Sequence, residues 1–423
     1  MKYILLIIIT LSITSLMCIT TASSLPFSSS YLQRATGVEA NYWNPANLYK
    51  LPANNELMFL PFTLRVENNA ISLNLYNNVT GQFLDDKKKK DILDSIDGSM
   101  NVGMNINLIT FGYANRSWSL SSATNFIANG KIDENYLELL LMGNEYNRNY
   151  IFTKDNNSFA ALGYQDLTFS YGNMLINNWI PPMKKLDMPD IYMGMGVSAL
   201  VGLFNVEMYE FDGVFTASDD GLSLDQRAKV RMGAVGTGYK MSWGLSSDIL
   251  NYDENHYLSA GIALNNILGT IEWTSKTEIR EYIARIDSVY MNQLDQDIFA
   301  DDEIVTKVDS YTTELPLNFK LGANYRLNDL SLSLDFAKYS EGNPAYNSDT
   351  KISFGTEYEI LGVIPIQLGY RLANGDLPEL YSFGMGLKFR YFECGFGYQS
   401  IGAFFLSENT KGIAFSGQMK FRF

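Results

Sequence analysis

The chain ends 411-KGIAFSGQMKFRF-423. Ile413, Phe415, Met419, Phe421 and Phe423 fall on odd positions, with Gly417 among them; Ala414, Ser416, Gln418, Lys420 and Arg422 fall on even ones. Successive side chains of a β-strand point to opposite faces, so this alternation reads as a strand with one apolar face and one polar face that carries two cations. Two settings accept such a strand. One is a half-buried soluble sheet; the other is a membrane barrel with lipid outside and water inside.

The same pattern recurs along most of the sequence. In 315-LPLNFKLGANYRLN-328, Leu317, Phe319, Leu321, Ala323, Tyr325 and Leu327 share a face opposite Asn318, Lys320, Asn324 and Arg326. After a turn at Asn328-Asp329, Leu330, Leu332, Leu334 and Phe336 alternate with Ser331, Ser333 and Asp335, which completes a hairpin. The stretches 363-VIPIQLGYRL-372, 380-LYSFGMGLKFRY-391, 191-IYMGMGVSALVGL-203 and 102-VGMNINL-108 repeat it. Many of these runs reach ten residues, which matches the roughly 9–11 residues of a tilted strand crossing a bilayer and exceeds the usual globular strand. Tyr381 and Tyr391 stand at run ends, where an interfacial aromatic girdle lies in membrane barrels. A soluble sandwich needs its apolar faces to cover each other, usually over shorter strands. The expected fold is therefore all-β, a transmembrane antiparallel β-barrel. The number of candidate runs is 16 to 18, counted with some as halves of one long strand.

Length and targeting fit that reading. The chain has 423 residues, a net charge of −14 and 46% hydrophobic residues. Lys2 followed by 3-YILLIIITLSITSLMCI-19 and the small residues of 20-TTA-22 reads as a secretory signal over 1–22, cut after Ala22. No later run of 18 apolar residues offers a spanning helix. Only Cys18 and Cys394 exist, so a disulfide framework and a cysteine metal cluster are excluded. The acidic balance excludes nucleic acid as a partner, because phosphate recognition needs clustered Lys and Arg. The one basic run, 85-DDKKKK-90, reads as a solvated face.

Three stretches break the β pattern. In 86-DKKKKDILDSIDG-98, Ile92, Leu93 and Ile96 take helical spacing before Gly98. In 132-IDENYLELLLMGN-144, Tyr136, Leu137, Leu140 and Leu141 form a stripe between a candidate N-cap, Asp133, and a stop at Gly143. Both predict short helices that pack against the wall or fill the lumen. The charged segment 275–312 predicts a long loop or a strand extension on the outer side.

The string 34-RATGVEANYWNPANLYK-50 is the most specific in the chain. Gly37, Ala40 and Asn44-Pro45-Ala46 resemble the start of mature FadL-like and PorV-like outer-membrane barrels of the long-chain fatty-acid transporter superfamily. There a Gly/Ala-rich stretch and Asn-Pro-Ala precede the first strand. The later "LGANYRLNDLSLSLDFAK" and "IQLGYRLANGDLPELYSFGMGLKF" also look like the C-terminal half of PorV-like members. The resemblance implies about 14 strands (range 12–18) with an N-terminal plug, placed at 23–56 before a barrel at 57–423. It also implies a Gram-negative-type outer membrane as location, and it gives Phe423 the role of the aromatic terminus read by barrel-assembly machinery. Physically, Pro45 fixes its own φ and Asn44 can bond the local backbone, so the pair makes a rigid turn; an ordinary loop before the first strand has the same chemistry.

Chemistry for catalysis is sparse. His256 is the only histidine, which excludes two-histidine metal motifs and leaves one candidate base, with Ser259 three residues on. The carboxylates of 295-DQDIFADDE-303 suit a hard cation but lack an EF-hand's glycine and spacing. The glycines of 233-GAVGTGYK-240 do not fit a phosphate loop and predict close packing or bending of a strand. No enzyme activity and no cofactor is expected. The partners expected are outer-membrane lipid, a hydrophobic or amphiphilic ligand and the assembly machinery. Three functions remain open: passive uptake of hydrophobic small molecules past the plug, a non-transporting scaffold or secretion-system partner, and an outer-membrane hydrolase. An apolar lumen favours the first and a solidly packed one the second.

Overall fold

The computed structural model describes residues 21–175, 189–253, 256–289, 300–375 and 377–423. Its strand segments, in chain order, are β1 (Asn55–Met58), β2 (Phe62–Asn68), β3 (Ser99–Asn115), β4 (Trp118–Asp133), β5 (Asn149–Thr153), β6 (Ser158–Met174), β7 (Ile191–Ser218), β8 (Gly221–Asp253) and β9 (His256–Val289). They continue as β10 (Ala300–Lys307), β11 (Tyr311–Glu314), β12 (Asn318–Leu327), β13 (Leu330–Tyr339), β14 (Lys351–Ile360), β15 (Ile364–Arg371), β16 (Leu380–Lys388), β17 (Phe392–Ile401) and β18 (Gly412–Arg422).

Several segments share one stave of the wall. β1 and β2 both lie between β18 and β3. β5 and β6 both pair with β7, and β10, β11 and β12 all pair with β9. The 18 segments thus form a closed antiparallel barrel of 14 strands. This reconciles the larger number of alternating runs in the sequence with the smaller number of staves, since the extra runs are parts of interrupted strands.

The last strand closes the ring. β18 pairs with β17 on one side and with β1 and β2 on the other. At its end the Asn55 N–H donates to the Phe423 carbonyl (2.8 Å) and the Phe423 N–H to the Asn55 carbonyl (3.0 Å). A sheet facing hydrocarbon must close in this way, because an open edge would leave backbone donors and acceptors unpaired. The terminal alternation sorts as its pattern requires. Ala414, Ser416 and Lys420 are buried inside, while Met419, Phe421 and Phe423 are exposed outside.

The two ends of the barrel differ. Tight turns, such as Asn328-Asp329 and 361–363, gather at the end that holds the C-terminus. Most long connections, such as 69–98 and 134–148, lie at the other end, as in outer-membrane barrels, whereas 175–190 joins β6 to β7 at the turn end. At the loop end β7, β8 and β9, of 28, 33 and 34 residues, extend as a sheet and are tied by the ion pairs Lys229–Glu210 (2.5 Å), Arg231–Glu207 (2.8 Å) and Arg227–Glu281. The charged segment from 275 onward is part of this extension, with β10 paired to β9.

Helices α1 (Leu73–Val79), α2 (Asp86–Leu93) and α3 (Glu134–Met142) sit in the loop-end connections. Asp85 and Asp133 cap the last two, accepting from the Lys88 (2.9 Å) and Asn135 (2.7 Å) N–H groups. Gly98 and Gly143 take positive φ just beyond them. Helices α2 and α3 pack against β3 and β4 around Ile96, Met100, Val102 and Leu137 at the rim, and leave the lumen to other residues. Helix α1 had no sequence expectation. Among the described residues no helix is long and apolar enough to cross a membrane.

Candidate functional site: an occupied lumen

Residues 21–54 run inside the barrel through three 3-10 turns, Leu25–Phe27, Gly37–Asn41 and Pro45–Lys50. The wall begins at Asn55, two residues before the expected boundary, so Glu56 belongs to β1 and turns its carboxylate inward. Of the signal segment, residues 1–20 lie outside the described residues. Thr21 and Ala22 are already inside: the Trp43 indole N–H donates to the Thr21 hydroxyl (3.0 Å) and the Ser416 hydroxyl to the Ala22 carbonyl (2.8 Å).

The residues singled out by the sequence meet the wall directly. The Asn44 side chain accepts from the Ala46 N–H (3.1 Å) and donates to the Leu245 carbonyl (3.0 Å), so it ties a turn to β8. Pro45 opens that turn, where its missing N–H costs nothing. Its backbone lies against Gly172 and Gly194, where a Cβ would run into it, and Gly244 leaves room for Asn44. Ala40 and Ala46 are fully buried. Gly37 has φ +60°, and a Cβ there would strike the Glu56 carboxylate, which accepts the Val38 N–H (3.0 Å).

Charged groups hold the rest of the segment. Glu39 accepts from the Tyr31 hydroxyl (2.9 Å) and from Lys420 (2.7 Å). Arg422 bridges Glu56 (2.9 Å) and Glu393 (2.6 Å) beside it. Asp335 accepts from the Tyr31 and Leu32 N–H groups (2.7 and 2.6 Å). Lys320 donates to the Tyr42 carbonyl (3.2 Å) and lies 4.0 Å from the centre of the Trp43 ring. Lys50 pairs with Asp248 at 2.6 Å; burial lowers its ammonium from the usual lysine range, against the pull of Asp248. Burial, reinforced by Glu39, pushes the Tyr31 phenol upward, which keeps it a donor. Sequence alone showed Lys420, Arg422, Asp335 and Lys320 only as members of the polar face. Their partners, acidic groups or carbonyls for the cations and backbone N–H groups for Asp335, lie on the plug or on other strands, and no local spacing marks them.

Toward the loop end the lumen changes character. Leu162, Tyr164, Leu200, Ile271, Trp273 and Tyr339 point inward and pack with Leu315, Ala345 and Tyr346 into one apolar layer. Tyr346 comes from the β13–β14 connection, which folds into the mouth. Its ring centre lies 5.2 Å from that of Tyr339, and Asn129 fixes the connection through the Pro344 carbonyl (2.8 Å). Between this layer and the plug, beside Tyr42 and Lys320, there is about 30 Å³ of space, near the volume of one water. At the loop end a polar surface pocket of about 440 Å³ lies beside the β13–β14 connection, lined by Lys338, Glu341 and Asp349.

The remaining candidates lie apart. His256 sits at the turn end, with Nε2 3.0 Å from the Tyr325 hydroxyl, remote from the plug contacts. Residues 295–299 of the acidic run lie outside the described residues, and among the described residues no cluster of metal-ligating side chains occurs. Phe423 is exposed at the barrel's end.

The sequence model of a family described as "Family of unknown function (DUF5723)" matches residues 52–394. No curated protein matches the chain. Among solved structures, the chain is similar to the Pseudomonas putida toluene transporter TodX at 11% identity, covering 97% of this chain and 99% of that one, with a TM-score of 0.49. It is similar to the Ralstonia pickettii toluene transporter TbuX at 11% identity, covering 94% and 98%, with a TM-score of 0.48. The CymD monoaromatic hydrocarbon channel matches at 12% identity over 96% and 97%, with a TM-score of 0.46.

Proposed function

The chain belongs to the DUF5723 family, whose function is unknown, and we propose that it is an outer-membrane barrel that lets hydrophobic small molecules pass by diffusion once its plug moves. The observation that carries this reading is the apolar layer across the loop-end lumen. The interiors of water-filled barrels are polar. Here Trp273, Tyr164, Leu162 and Leu200 form a closed apolar, aromatic layer that an entering hydrophobic solute would have to part. Below that layer the plug is held by hydrogen bonds and ion pairs, each of which water can replace as the plug shifts, and by apolar contacts of Val38, Leu48 and Trp43. No bond is made or broken, and no energy-coupling group is required.

A lock tests this. The Ser28 and Ser382 hydroxyls are 2.6 Å apart, one on the plug and one on β16. Cysteines at both positions, in a Cys394→Ser background, place a disulfide between plug and wall. Vesicles carrying the unlocked protein should take up a neutral hydrophobic dye faster than empty vesicles. The oxidised Ser28→Cys/Ser382→Cys protein should fall to the level of empty vesicles, and a reductant should restore uptake. The filled lumen favours a second reading, a scaffold that transports nothing; dye uptake no faster than in empty vesicles would establish it over the first.

A further inference from the structure

The outer wall has a feature that transport through the lumen does not use. A barrel wall bulges toward lipid, yet across β12 to β17 the lipid-facing surface is concave and encloses a groove of about 630 Å³, within the range of sites for small ligands. Its sides are outward-pointing Leu332, Leu334, Phe354 and Leu368. Its floor is the backbone at Ser333, Gly355, Gly369 and Ser382, residues whose other face looks inward. A Cβ at Gly369 would run into the Phe27 backbone of the plug, one at Gly355 would strike the Ser333 hydroxyl and press on the Phe27 side chain, and Ser333 donates to the Ser30 carbonyl (3.0 Å). Small residues therefore let this wall sink onto the plug, and the dent outside is the counterpart of that close approach.

The groove climbs from Leu258 and Tyr325 near the turn end to the loop end, where Phe404 and Phe405 of the β17–β18 connection project beside Tyr381. The ring centres of Tyr381 and Phe404 are 5.4 Å apart, and those of Phe404 and Phe405 are 4.5 Å apart. No charged residue lines it. Tyr398 lines it at the same loop-side end, and its hydroxyl is buried with no hydrogen-bond partner among the described residues. An unsatisfied buried hydroxyl is costly and marks a place for an acceptor.

We propose that this groove binds one acyl chain of a bilayer lipid, its ester carbonyl accepting from the Tyr398 hydroxyl and its tail lying toward Tyr325. The occupant follows from position and chemistry. The groove opens to hydrocarbon, its lining is predominantly apolar along its length, and the Tyr398 hydroxyl, buried without a partner among the described residues, is a donor at the end nearest the membrane interface. The proposal needs the barrel to sit in a membrane but does not need it to transport.

The test uses the full chain in vesicles of phosphatidylethanolamine and phosphatidylglycerol doped with a phospholipid bearing a photoreactive group on one acyl chain. After illumination, labelled residues are mapped by mass spectrometry. The opposite wall supplies the control: Leu167, Phe169, Val197 and Val201 are 45–54% exposed, against 43–49% for Leu332, Leu334, Phe354 and Leu368. A bound chain labels the groove about tenfold over the control wall, a difference equivalent to about 1.4 kcal/mol, and Tyr398→Phe brings that ratio down toward one. Equal labelling of both walls overturns the proposal as ordinary bilayer contact. An unchanged ratio in Tyr398→Phe overturns the ester anchor. Absence of label on both walls would instead refute the membrane setting itself, so the two failures are distinguishable.

Discussion

The lower and upper halves of the lumen are closed by different chemistry. Toward the turn end the plug is held mainly by polar contacts, namely Glu39–Lys420, Asp335 and the Glu56 carboxylate that accepts the Val38 N–H, set in a cradle of glycines and backed by apolar contacts of Val38, Leu48 and Trp43. Toward the loop end Trp273, Tyr164 and Tyr339 pack with Tyr346 into an aromatic layer that holds one hydroxyl–hydroxyl hydrogen bond, Tyr164 to Tyr346 at 3.4 Å. Hydrogen bonds to charged groups are strong while made and lose little net energy when water replaces them, provided the freed groups reach water. Aromatic packing has no such substitute, but it tolerates an apolar solute in its place. The contrast assigns retention of the plug to the lower half and selection of solute to the upper half.

The largest effect should come from removing one partner of the lower ion pairs. Lys420→Ala leaves the buried Glu39 carboxylate without its cation and deprives Glu393 of a neighbour. Breaking a buried pair from one side costs about 3–5 kcal/mol. The expected outcome is a plug that leaves its seat, read as trypsin cleavage at Arg34 in the detergent-extracted barrel. The companion variant on the upper side is Thr313→Val, which strands the Trp273 indole N–H, now bonded to the Thr313 hydroxyl at 3.0 Å. It should cost about 1–3 kcal/mol and lower the temperature at which gel mobility shifts, without exposing Arg34. Equal cleavage in both variants would erase the distinction between the halves.

A middle-sized effect tests the cradle. At Gly194 a Cβ would collide with the Pro45–Ala46 backbone. Gly194→Val should therefore overpack the seat by about 1–3 kcal/mol and raise cleavage at Arg34 less than Lys420→Ala does. A protected plug in this variant would mean that the wall yields instead, which would narrow retention to the charged contacts.

The sequence displayed the wall far better than its contents. Alternation is a local property, so Leu332–Ser333–Leu334 and Met419–Lys420–Phe421 reveal their faces without any knowledge of neighbours. The interruptions at 59–61 and 154–157 still read as strand ends, because only pairing to a common neighbour shows that two runs share one stave. The turn at Asn44-Pro45-Ala46 was marked in the sequence, because such a turn leaves a compositional trace. Its partners were not. Gly172, Gly194 and Gly244 are three separate strands' contributions to one contact, and Glu39 finds Lys420 across 381 positions. The outer groove was invisible for a further reason: its depth depends on inward glycines touching Phe27, a relation between two sides of a wall that no single run contains.

The smallest effect concerns the residue the sequence marked most clearly. Asn44 makes two hydrogen bonds, one as acceptor within the plug and one as donor to β8. Asn44→Ala removes both, but Pro45 still fixes the turn and the Leu245 carbonyl keeps a second lone pair for its strand partner. The cost should be about 1 kcal/mol per bond lost, well short of Lys420→Ala. Asn44→Ser separates the two bonds without adding a charge, because its hydroxyl still accepts from the Ala46 N–H but is too short to reach Leu245. If the wall contact matters more, Asn44→Ser will match Asn44→Ala in trypsin cleavage at Arg34. If the turn matters more, it will match the unmodified protein. A loss as large as that of Lys420→Ala would move the anchor of the plug from its charged contacts to this one turn.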